Sequence, residues 1–314
     1  MYNLKYNLII LVNIMNVIWK QIDNQENIKK IVEKIYHEDI FSFCVFRYCG
    51  YDGDESQEKD VYKIDIDGCS FILKKAEKIE SDIYLNFLNK NNFNTPKVYG
   101  YSDGYLLIEY INGTDLCIMD ENKAKKSSKS VGVILKFYFN KEIDDGRFKT
   151  YLNRIKKRAE SLTNEPLLKE VYDLFIQRQL DCPRSLCNGD FLPFNGIYSN
   201  NKVYIIDWGF GGFLPYSLDV ARFIAHGRNE DPTTEFPFQI TENLCQIYVK
   251  GVYEELKDFI SYEQYIFDIK VALLNEYIEF LEYYFNNPNV KKNSFYKHYY
   301  DKAISLAKKI KNTY

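Results

Sequence analysis

Residues 186 to 209 of the chain read LCNGDFLPFNGIYSNNKVYIIDWG. Asp190, Asn195 and Asp207 stand here in the order and spacing that metal-dependent phosphoryl transfer needs. Such a transfer requires a carboxylate that orients the attacking hydroxyl and oxygen ligands that hold Mg²⁺ on the phosphates. The stretch therefore predicts Asp190 as the catalytic residue and Asn195 and Asp207 as metal ligands.

The residues around these three side chains strengthen the prediction, because a DxxxxN spacing alone arises by chance. Gly189 permits a tight backbone, and Pro193 favours an irregular loop over a helix interior. Residues 199–201 predict a turn, and the run from Val203 to Ile206 predicts a short strand that delivers Asp207 at its end. The alternative is an ordinary hairpin whose acids and amides cap turns.

These segments resemble a known family. CNGDFLPFN and IIDWG are similar to the HGDxxxxN and IDxx segments of the aminoglycoside phosphotransferase and choline kinase-like family, relatives of the protein kinases. Downstream, PYSLDVARF resembles the family's DLA segment, in which Asp219 is expected to brace the catalytic loop. Upstream, LLIEYINGTDL (Leu106 to Leu116) is similar to the family's hinge, and SFILKKA, around Lys74, to its nucleotide-binding strand.

The resemblance implies a two-lobed, α+β protein kinase-like fold that uses ATP, or GTP, with Mg²⁺. We expect an N-terminal extension (1–24), an N-lobe built on a small antiparallel β-sheet (25–112) and a larger, mainly helical C-lobe (113–314). The hydrophobic periodicity fits this plan. It predicts strands at 41–48, 61–66, 70–74, 97–101 and 105–110, and helices at 27–36, 124–139, 148–162, 167–180 and from 241 onward.

The nucleotide-binding residues are expected on the N-lobe strands. Alternation along the strand at 70–75 puts Ile72 and Lys74 on one face, and the resemblance places Lys74 against the α- and β-phosphates. Glu80 is the expected acidic partner of this lysine, with Asp82 as the alternative. If the resemblance fails, adjacent lysines at a strand end simply lie in solvent.

The hinge and the phosphate loop complete the expected nucleotide site. A strand that ends in a glycine joint can offer backbone donors and acceptors to a base, so we expect Glu109 and Ile111 to contact the nucleotide. Taken alone, the same segment would be a plain edge strand and turn. The first strand connection contains Gly50 and Gly53 but no GxGxxG, which leaves the phosphate contacts unassigned.

The apolar run from Leu8 to Trp19 is too short for a membrane span and is interrupted by Asn13 and Asn16. It also has no small-residue cleavage site. We expect a short helix or strand that packs on the body of the protein, with no membrane association. An alternative is that translation begins at Met15.

The composition fits a cytoplasmic enzyme. The net charge of −3 gives no basic footprint for nucleic-acid binding. Seven cysteines without a CxxC pair give little support to a zinc site and indicate free buried thiols in a reducing compartment. Three histidines and no GxSxG make a Ser-His or Cys-His hydrolase hard to assemble.

The substrate is expected to be a small molecule with a hydroxyl group. Between Asp219 and Val290 there are thirteen acidic and five basic residues, a net of −8, which is a suitable field for a cation such as an aminoglycoside or choline. Solvated helix faces are an equally good explanation of these acids.

One residue in the catalytic loop departs from the family pattern. Asn188 stands where the family usually has histidine. This change keeps open a non-catalytic, structural kinase-like protein, for instance a spore-coat-associated one, although Asp190, Asn195 and Asp207 are all retained. Transfer of AMP to a protein is a third possibility. The hypothesis that follows is an ATP- and Mg²⁺-dependent small-molecule O-phosphotransferase.

Overall fold

The computed structural model describes residues 18–49, 59–141, 143–144, 146–227 and 240–313. The chain divides into two compact units, Met1–Ala76 with Val98–Tyr110 and Glu77–Lys97 with Ile111–Tyr314. Three features of the sequence lie outside the described residues. They are the proposed start at Met15, most of the apolar run from Leu8, and both glycines of the first strand connection. The lobe boundaries expected above stay a prediction.

The first unit is built on an antiparallel sheet of six strands, in the order β1-β2-β3-β4-β6-β5. The strands are β1 (Trp19–Gln21), β2 (Phe43–Tyr48), β3 (Val61–Ile66), β4 (Cys69–Lys75), β5 (Val98–Ser102) and β6 (Tyr105–Glu109), and helix α1 spans Glu26–Glu33. Every strand predicted for this region is present. Helix α1 is shorter than the predicted 27–36, because the chain turns after Glu33.

The core of this unit is formed by the buried residues that alternate with half-exposed ones along its strands. In β3, Tyr62, Ile64 and Ile66 are buried and pack with Ile28 and Val32 of α1. Two hairpin turns join the strands, at Asp67–Gly68 and Asp103–Gly104, and all four residues have positive φ. Such turns match the twist of the strands that they connect.

The second unit is mainly helical. Its elements are α2 (Lys78–Ile83), which continues into a π-helical turn (Tyr84–Leu88), β7 (Thr114–Asp115), α3 (Glu121–Phe137), α4 (Arg147–Glu160), α5 (Pro166–Asp181), β8 (Arg184–Cys187), a 3₁₀ turn (Pro193–Asn195), β9 (Gly196–Ser199), β10 (Lys202–Ile205), β11 (Gly212–Pro215), α6 (Leu218–Gly227), α7 (Glu242–Leu256), α8 (Tyr262–Asn286) and α9 (Ser294–Lys311). The predicted helices and the strand before Asp207 are therefore present.

Capping residues explain where several of these helices begin. At the starts of four helices, a side chain accepts a hydrogen bond from the backbone N–H three residues later. These side chains are Asp120 at α3, Thr241 at α7, Ser261 at α8 and Asn293 at α9. Within the described ranges, no helix has the length and apolar character of a membrane-spanning segment.

All seven cysteines are free thiols. Five are buried, but Cys44 and Cys69 are exposed, so the expectation of buried thiols is wrong for these two. The reason is their position on the sheet. Cys44 precedes the buried Val45 and therefore points to the opposite face, and Cys69 begins β4 at the hairpin turn.

Candidate active site

Two loops of the second unit carry the predicted catalytic and metal-binding residues. Residues 188–195 connect β8 to β9, and residues 206–211 connect β10 to β11. The strands pair antiparallel, with Cys187 opposite Gly212 and Gly196 opposite Ile205, so the two loops begin and end at paired positions. The two loops therefore lie side by side.

The contact between the loops requires glycine at position 189. Gly189 has φ +77°, and a Cβ atom there would lie 2.2 Å from the carbonyl oxygen of Phe210. Any side chain would therefore meet both backbone strain and a clash. Asp207 also has a left-handed backbone, with φ 56°, which is uncommon for a residue other than glycine.

Asn188 ties the two loops together. Its Nδ2 donates to the carbonyl oxygens of Ile206 (3.1 Å) and Asp207 (3.0 Å), and its Oδ1 accepts from the backbone N–H of Asp190 (3.2 Å). The residue is buried. Asn188, which stands where the family usually has histidine, thus connects the backbone of the predicted catalytic residue, Asp190, to that of the predicted metal ligand, Asp207.

Asp219 holds the start of the catalytic loop from α6. Its carboxylate accepts the backbone N–H groups of Asn188 (2.6 Å) and Gly189 (2.8 Å). Burial raises the pKa of Asp219 to about 6, although these two hydrogen bonds favour the charged form. The expected bracing role of Asp219 is confirmed by these contacts.

Asp190 is half-buried and bonded through its side chain to an arginine. Its Oδ1 accepts from Nε of Arg222 at 2.6 Å. Burial raises the pKa of Asp190, and Arg222 opposes that shift. Asn195 donates from Nδ2 to the backbone carbonyl of Asp190 (2.7 Å), so its amide oxygen is the atom that could serve a cation.

A second ion pair extends from Arg222 to α8. Nη1 of Arg222 lies 2.9 Å from Oε2 of Glu276 and 3.6 Å from Oε1 of Glu279. Burial on its own would raise the pKa of Glu276, but Arg222 and then His226 outweigh it and hold the pKa at about 2. Asp190 therefore belongs to a chain of alternating charges that continues into the helical core.

Sequence reasoning missed the role of Arg222 and Glu276, because it counted them only as charges in an acidic stretch. One signal was available. Arg222 follows Asp219 by three residues on α6, and this spacing places both side chains on one face of the helix, next to the same loop. The Glu276 contact had no local signal, since Glu276 lies 54 residues further along the chain.

The predicted metal ligand Asp207 has a carboxylate neighbour in Glu80. Asp207 is exposed at the end of β10, and backbone N–H of Ile206 donates to the carbonyl of Asn195 (3.0 Å), which keeps Asp207 beside the catalytic loop. A methyl group on Gly209 would lie 3.6 Å from Oδ1 of Asp207 and 3.7 Å from Oε2 of Glu80. Both carboxylates therefore flank Gly209.

The structure separates the two candidate partners of Lys74. Glu80 is 4% exposed and faces the loop at Gly209, whereas Asp82 lies at the surface and forms an ion pair with Lys78 (3.4 Å). Lys74 itself lies in β4, on the face opposite the buried Phe71 and Leu73, as the alternation predicted. The contact between Lys74 and an acidic partner stays a prediction.

The two residues that are expected at the hinge lie at or next to the boundary between segments of the chain. Glu109 is the last residue of β6, in the first unit, and Ile111 begins the second segment of the second unit. Their contact with a nucleotide stays a prediction. Gly113 follows, and it approaches β9 so closely that a Cβ atom would lie 2.3 Å from the carbonyl oxygen of Tyr198.

Arg147 is a further residue at the site that the sequence did not indicate. It begins α4, directly after Gly146, whose φ is +74°. Its Nη2 donates to the carbonyl oxygen of Gly209 at 2.6 Å. The loop that carries Asp207 is thus held from two sides, by Asn188 at residues 206–207 and by Arg147 at Gly209.

The site offers oxygen donors for a cation rather than a complete protein cage. Among the described residues, no group of three or more His, Cys, Asp or Glu side chains could hold a metal ion. Asn195 and Asp207 would supply two oxygen donors. Mg²⁺ in nucleotide sites commonly takes one or two protein carboxylates, with substrate phosphates and water as the other ligands, so this pair fits Mg²⁺.

Comparison with known proteins supports the same grouping of motifs. A curated relative, the protein LicA homolog of Metamycoplasma hominis, is 31% identical over 155 residues, which are 46% of this chain and 58% of that protein. The chain thus matches somewhat over half of this relative's length. Solved structures share the fold, and two of them are kinases of small molecules. Choline kinase LicA from Streptococcus pneumoniae matches with a TM-score of 0.55 and 18% identity, over 90% of this chain and 98% of its own. The ADP-bound aminoglycoside phosphotransferase APH(2'')-Ib has a TM-score of 0.53 and 14% identity, over 90% of this chain and 96% of its own.

The α+β, kinase-like fold is confirmed by these structural matches. The model of the phosphotransferase enzyme family (APH) matches residues 54–244, which include Lys74, the catalytic loop and Asp219. This match covers more than half of the chain. The chain therefore belongs to the phosphotransferase enzyme family.

Proposed function

We propose that the protein is a kinase that transfers the γ-phosphoryl group of ATP, or GTP, to a hydroxyl group of a small molecule with the help of Mg²⁺. One observation carries the proposal. Asn188 bonds both to the backbone of Asp190 and to that of Asp207, so a base candidate and a metal-ligand candidate are held in fixed relation. Phosphoryl transfer depends mainly on such positioning and on electrostatic stabilisation.

Asp190 has the role of orienting the acceptor hydroxyl and accepting its proton as the new P–O bond forms. Its carboxylate is half-buried, and Arg222 favours the charged form that this role requires. The backbone of the residue is fixed by Asn188 and Asn195, and the loop is anchored through Asp219. Asp190 therefore meets the acceptor with a restrained side chain.

Asn195 and Asp207 would hold Mg²⁺, and Lys74 with Glu80 would position the phosphates, in line with the family resemblance. When bound, Mg²⁺ offsets the charge of the phosphate oxygens. The protein's own contribution is to fix the donors. Asn195 is restrained by its bond to Asp190, and Asp207 by the bonds of Asn188 to its carbonyl and to that of Ile206.

The proposed substrate is an amine-bearing alcohol, such as choline or an aminoglycoside. The names of the curated relative and of the two structural matches favour this class. The acidic stretch favours it less than its net charge implies, because several of its acids are paired inside the helical unit. Asp268 pairs with Arg178, Glu282 and Glu279 with Arg158, and Glu276 with Arg222.

The test is a screen of the purified chain with ATP or GTP, MgCl₂ and a panel of amine alcohols, aminoglycosides and neutral sugars. ADP or GDP formation is read together with the mass of the phosphorylated product. We expect turnover that requires an acceptor and Mg²⁺ and that is highest with a cationic acceptor. Nucleotide binding without turnover would instead indicate a non-catalytic protein, and release of pyrophosphate would indicate AMP transfer. A strong preference for a neutral sugar would contradict the substrate class alone.

A further inference from the structure

Arg222 contacts the side chain of Asp190 from α6, a helix that lies outside the catalytic loop. The Nε–H group donates to Oδ1 at 2.6 Å, and both side chains are partly buried, with 20% and 21% exposure. A charge-assisted hydrogen bond in partly buried surroundings is stronger than one between exposed side chains. This contact therefore restrains the two side-chain torsions of Asp190, which its backbone hydrogen bonds leave free.

Arg222 is itself held from α8. Glu276, whose side chain is only 5% exposed, accepts from Nη1 at 2.9 Å, and Glu279 lies 3.6 Å from the same nitrogen. Glu279 in turn lies 2.8 Å from Nη2 of Arg158 on α4. The guanidinium of Arg222 is thus fixed at two of its nitrogens and balanced by three carboxylates, which include Asp190.

We propose that Arg222 is a positioning residue for phosphoryl transfer: it fixes Oδ1 of Asp190, so that Oδ2 is presented to the acceptor hydroxyl, while Glu276 fixes Arg222. This inference rests on the proposed kinase function. With Oδ1 bonded to Arg222, the carboxylate of Asp190 keeps one orientation. The same oxygen, Oδ2, then faces the acceptor hydroxyl at each turnover. An error of about 1 Å in the position of a reacting group can cost roughly 100-fold in rate.

The same arrangement avoids an electrostatic conflict with a cationic acceptor. An unbalanced arginine next to the catalytic carboxylate would repel an ammonium group. Glu276 and Glu279 offset the charge of Arg222, so the guanidinium can orient Asp190 without a net positive field at the site. The pair of acids on α8 is therefore part of the positioning device.

The experiment compares Arg222→Gln and Arg222→Lys with a matched control, Arg178→Gln. Arg178 has a similar exposure, 17%, and its Nε pairs at 2.6 Å with another acid of α8, Asp268. Arg178→Gln therefore measures what the protein loses when an ion pair to an acid of α8 is broken at a position away from Asp190. For each variant, kcat and KM for the best acceptor, the dissociation constant of Mg-ATP and the melting temperature are measured. The double variant Asp190→Asn with Arg222→Gln completes a mutant cycle.

We expect Arg222→Gln to lower kcat by about 10- to 100-fold, with the dissociation constant of Mg-ATP unchanged within about twofold. Arg222→Lys recovers part of the loss, and Arg178→Gln keeps the wild-type kcat despite a lowered melting temperature. In the Asp190→Asn background, loss of Arg222 costs no further activity, because the arginine acts through that carboxylate.

Several other results would overturn the inference. If Arg222→Gln keeps full activity while the wild type turns over, Arg222 is not a positioning residue. If it lowers activity by the same factor with and without Asp190, or no more than Arg178→Gln does, its role is structural only. A wild type that phosphorylates no acceptor overturns the proposed function first and this inference with it.

Discussion

The Nδ2 group of Asn188 donates a 3.0 Å hydrogen bond to the carbonyl oxygen of Asp207. This bond joins the loop of the proposed base to the loop of the proposed metal ligand. One amide thus donates to two partly buried backbone carbonyls, which gives asparagine a defined structural task where the family usually has histidine. Asparagine at this position therefore connects the two loops.

Asn188→Ala should destabilise the protein and reduce its activity. The change leaves the carbonyls of Ile206 and Asp207, which are partly buried, without this donor, and an unsatisfied polar group costs up to about 1–3 kcal/mol when it is fully buried. Urea unfolding measures the loss of free energy, and ADP formation measures the loss of turnover. Asn188→His should retain more of both properties. An alanine variant with wild-type stability and turnover would show that the amide does not join the loops.

Gly189→Ala should be more damaging than alanine at a glycine with similar backbone geometry. Gly189 and Gly68 have φ values of +77° and +83°, but a Cβ at Gly189 would lie 2.2 Å from the carbonyl of Phe210, while at Gly68 it meets nothing within 4 Å. Gly68→Ala is thus the matched control and should cost only the backbone strain, about 1–2 kcal/mol. Thermal unfolding of the two variants gives the comparison. Equal losses of stability in the two variants would mean that the backbone at Phe210 can move away from the added methyl group at no measurable cost in free energy.

Much of the fold could be predicted because its signals are local. The alternation of apolar residues predicts the strands of the sheet, and the DxxxxN and IIDWG segments indicate the candidate site. Each of these signals lies within about ten residues of sequence. They require no knowledge of how distant segments pack.

The rest of the site depends on packing between segments that are far apart in the chain. Arg222 meets Glu276 across 54 residues, and Arg147 meets the carbonyl of Gly209 across 62. A charge pattern cannot show which acid faces which base. Neither a field for a cation nor a set of solvated helix faces describes those acids of the stretch that are paired inside the helical unit. Only the assembled helices reveal these pairs.

Glu276→Gln should remove a pH-dependent contribution to stability. The pKa of Glu276 in the folded protein, about 2, lies below its ordinary value of 4.5, so ionised Glu276 stabilises the fold above that value and the contribution is lost as the pH falls toward 2. Breaking a buried pair costs roughly 3–5 kcal/mol at neutral pH. The difference in unfolding free energy between variant and wild type should therefore be largest above about pH 5 and should narrow as the pH falls toward about 2.

The control for this pH dependence is Glu170→Gln. Glu170 pairs with Lys311 at 2.6 Å, but both side chains are more than half exposed. An exposed pair contributes at most about 1 kcal/mol, so this variant should differ little from the wild type at any pH. If the loss of unfolding free energy in Glu276→Gln stayed constant with pH, that result would contradict the lowered pKa of Glu276.

Arg147→Gln should weaken the binding of Mg-ATP more than it lowers the maximal rate. The change removes the 2.6 Å bond from Nη2 to the carbonyl of Gly209, and with it one anchor of the loop that carries Asp207. Loss of a group that orients a metal ligand commonly costs about 10- to 100-fold in metal affinity or activity. Titration of nucleotide at fixed Mg²⁺ measures the effect. Arg154→Gln, an exposed arginine on the same helix, should leave the affinity unchanged.

Asp190→Asn and Asp207→Asn should fail in different ways, because the proposal gives the two acids different tasks. Asparagine at 190 can still hydrogen-bond but is a poor proton acceptor, so turnover should fall by about 10²- to 10⁴-fold with Mg-ATP binding nearly intact. Asparagine at 207 removes the charged oxygen donor, so the affinity for Mg-ATP should fall, and raised Mg²⁺ should recover part of the rate. Calorimetric titration with Mg-ATP, beside initial rates at several Mg²⁺ concentrations, separates the two. If Asp190→Asn turned over like the wild type, the assignment of the base would fail, and if Asp207→Asn kept the wild-type Mg²⁺ dependence, the assignment of the metal ligand would fail.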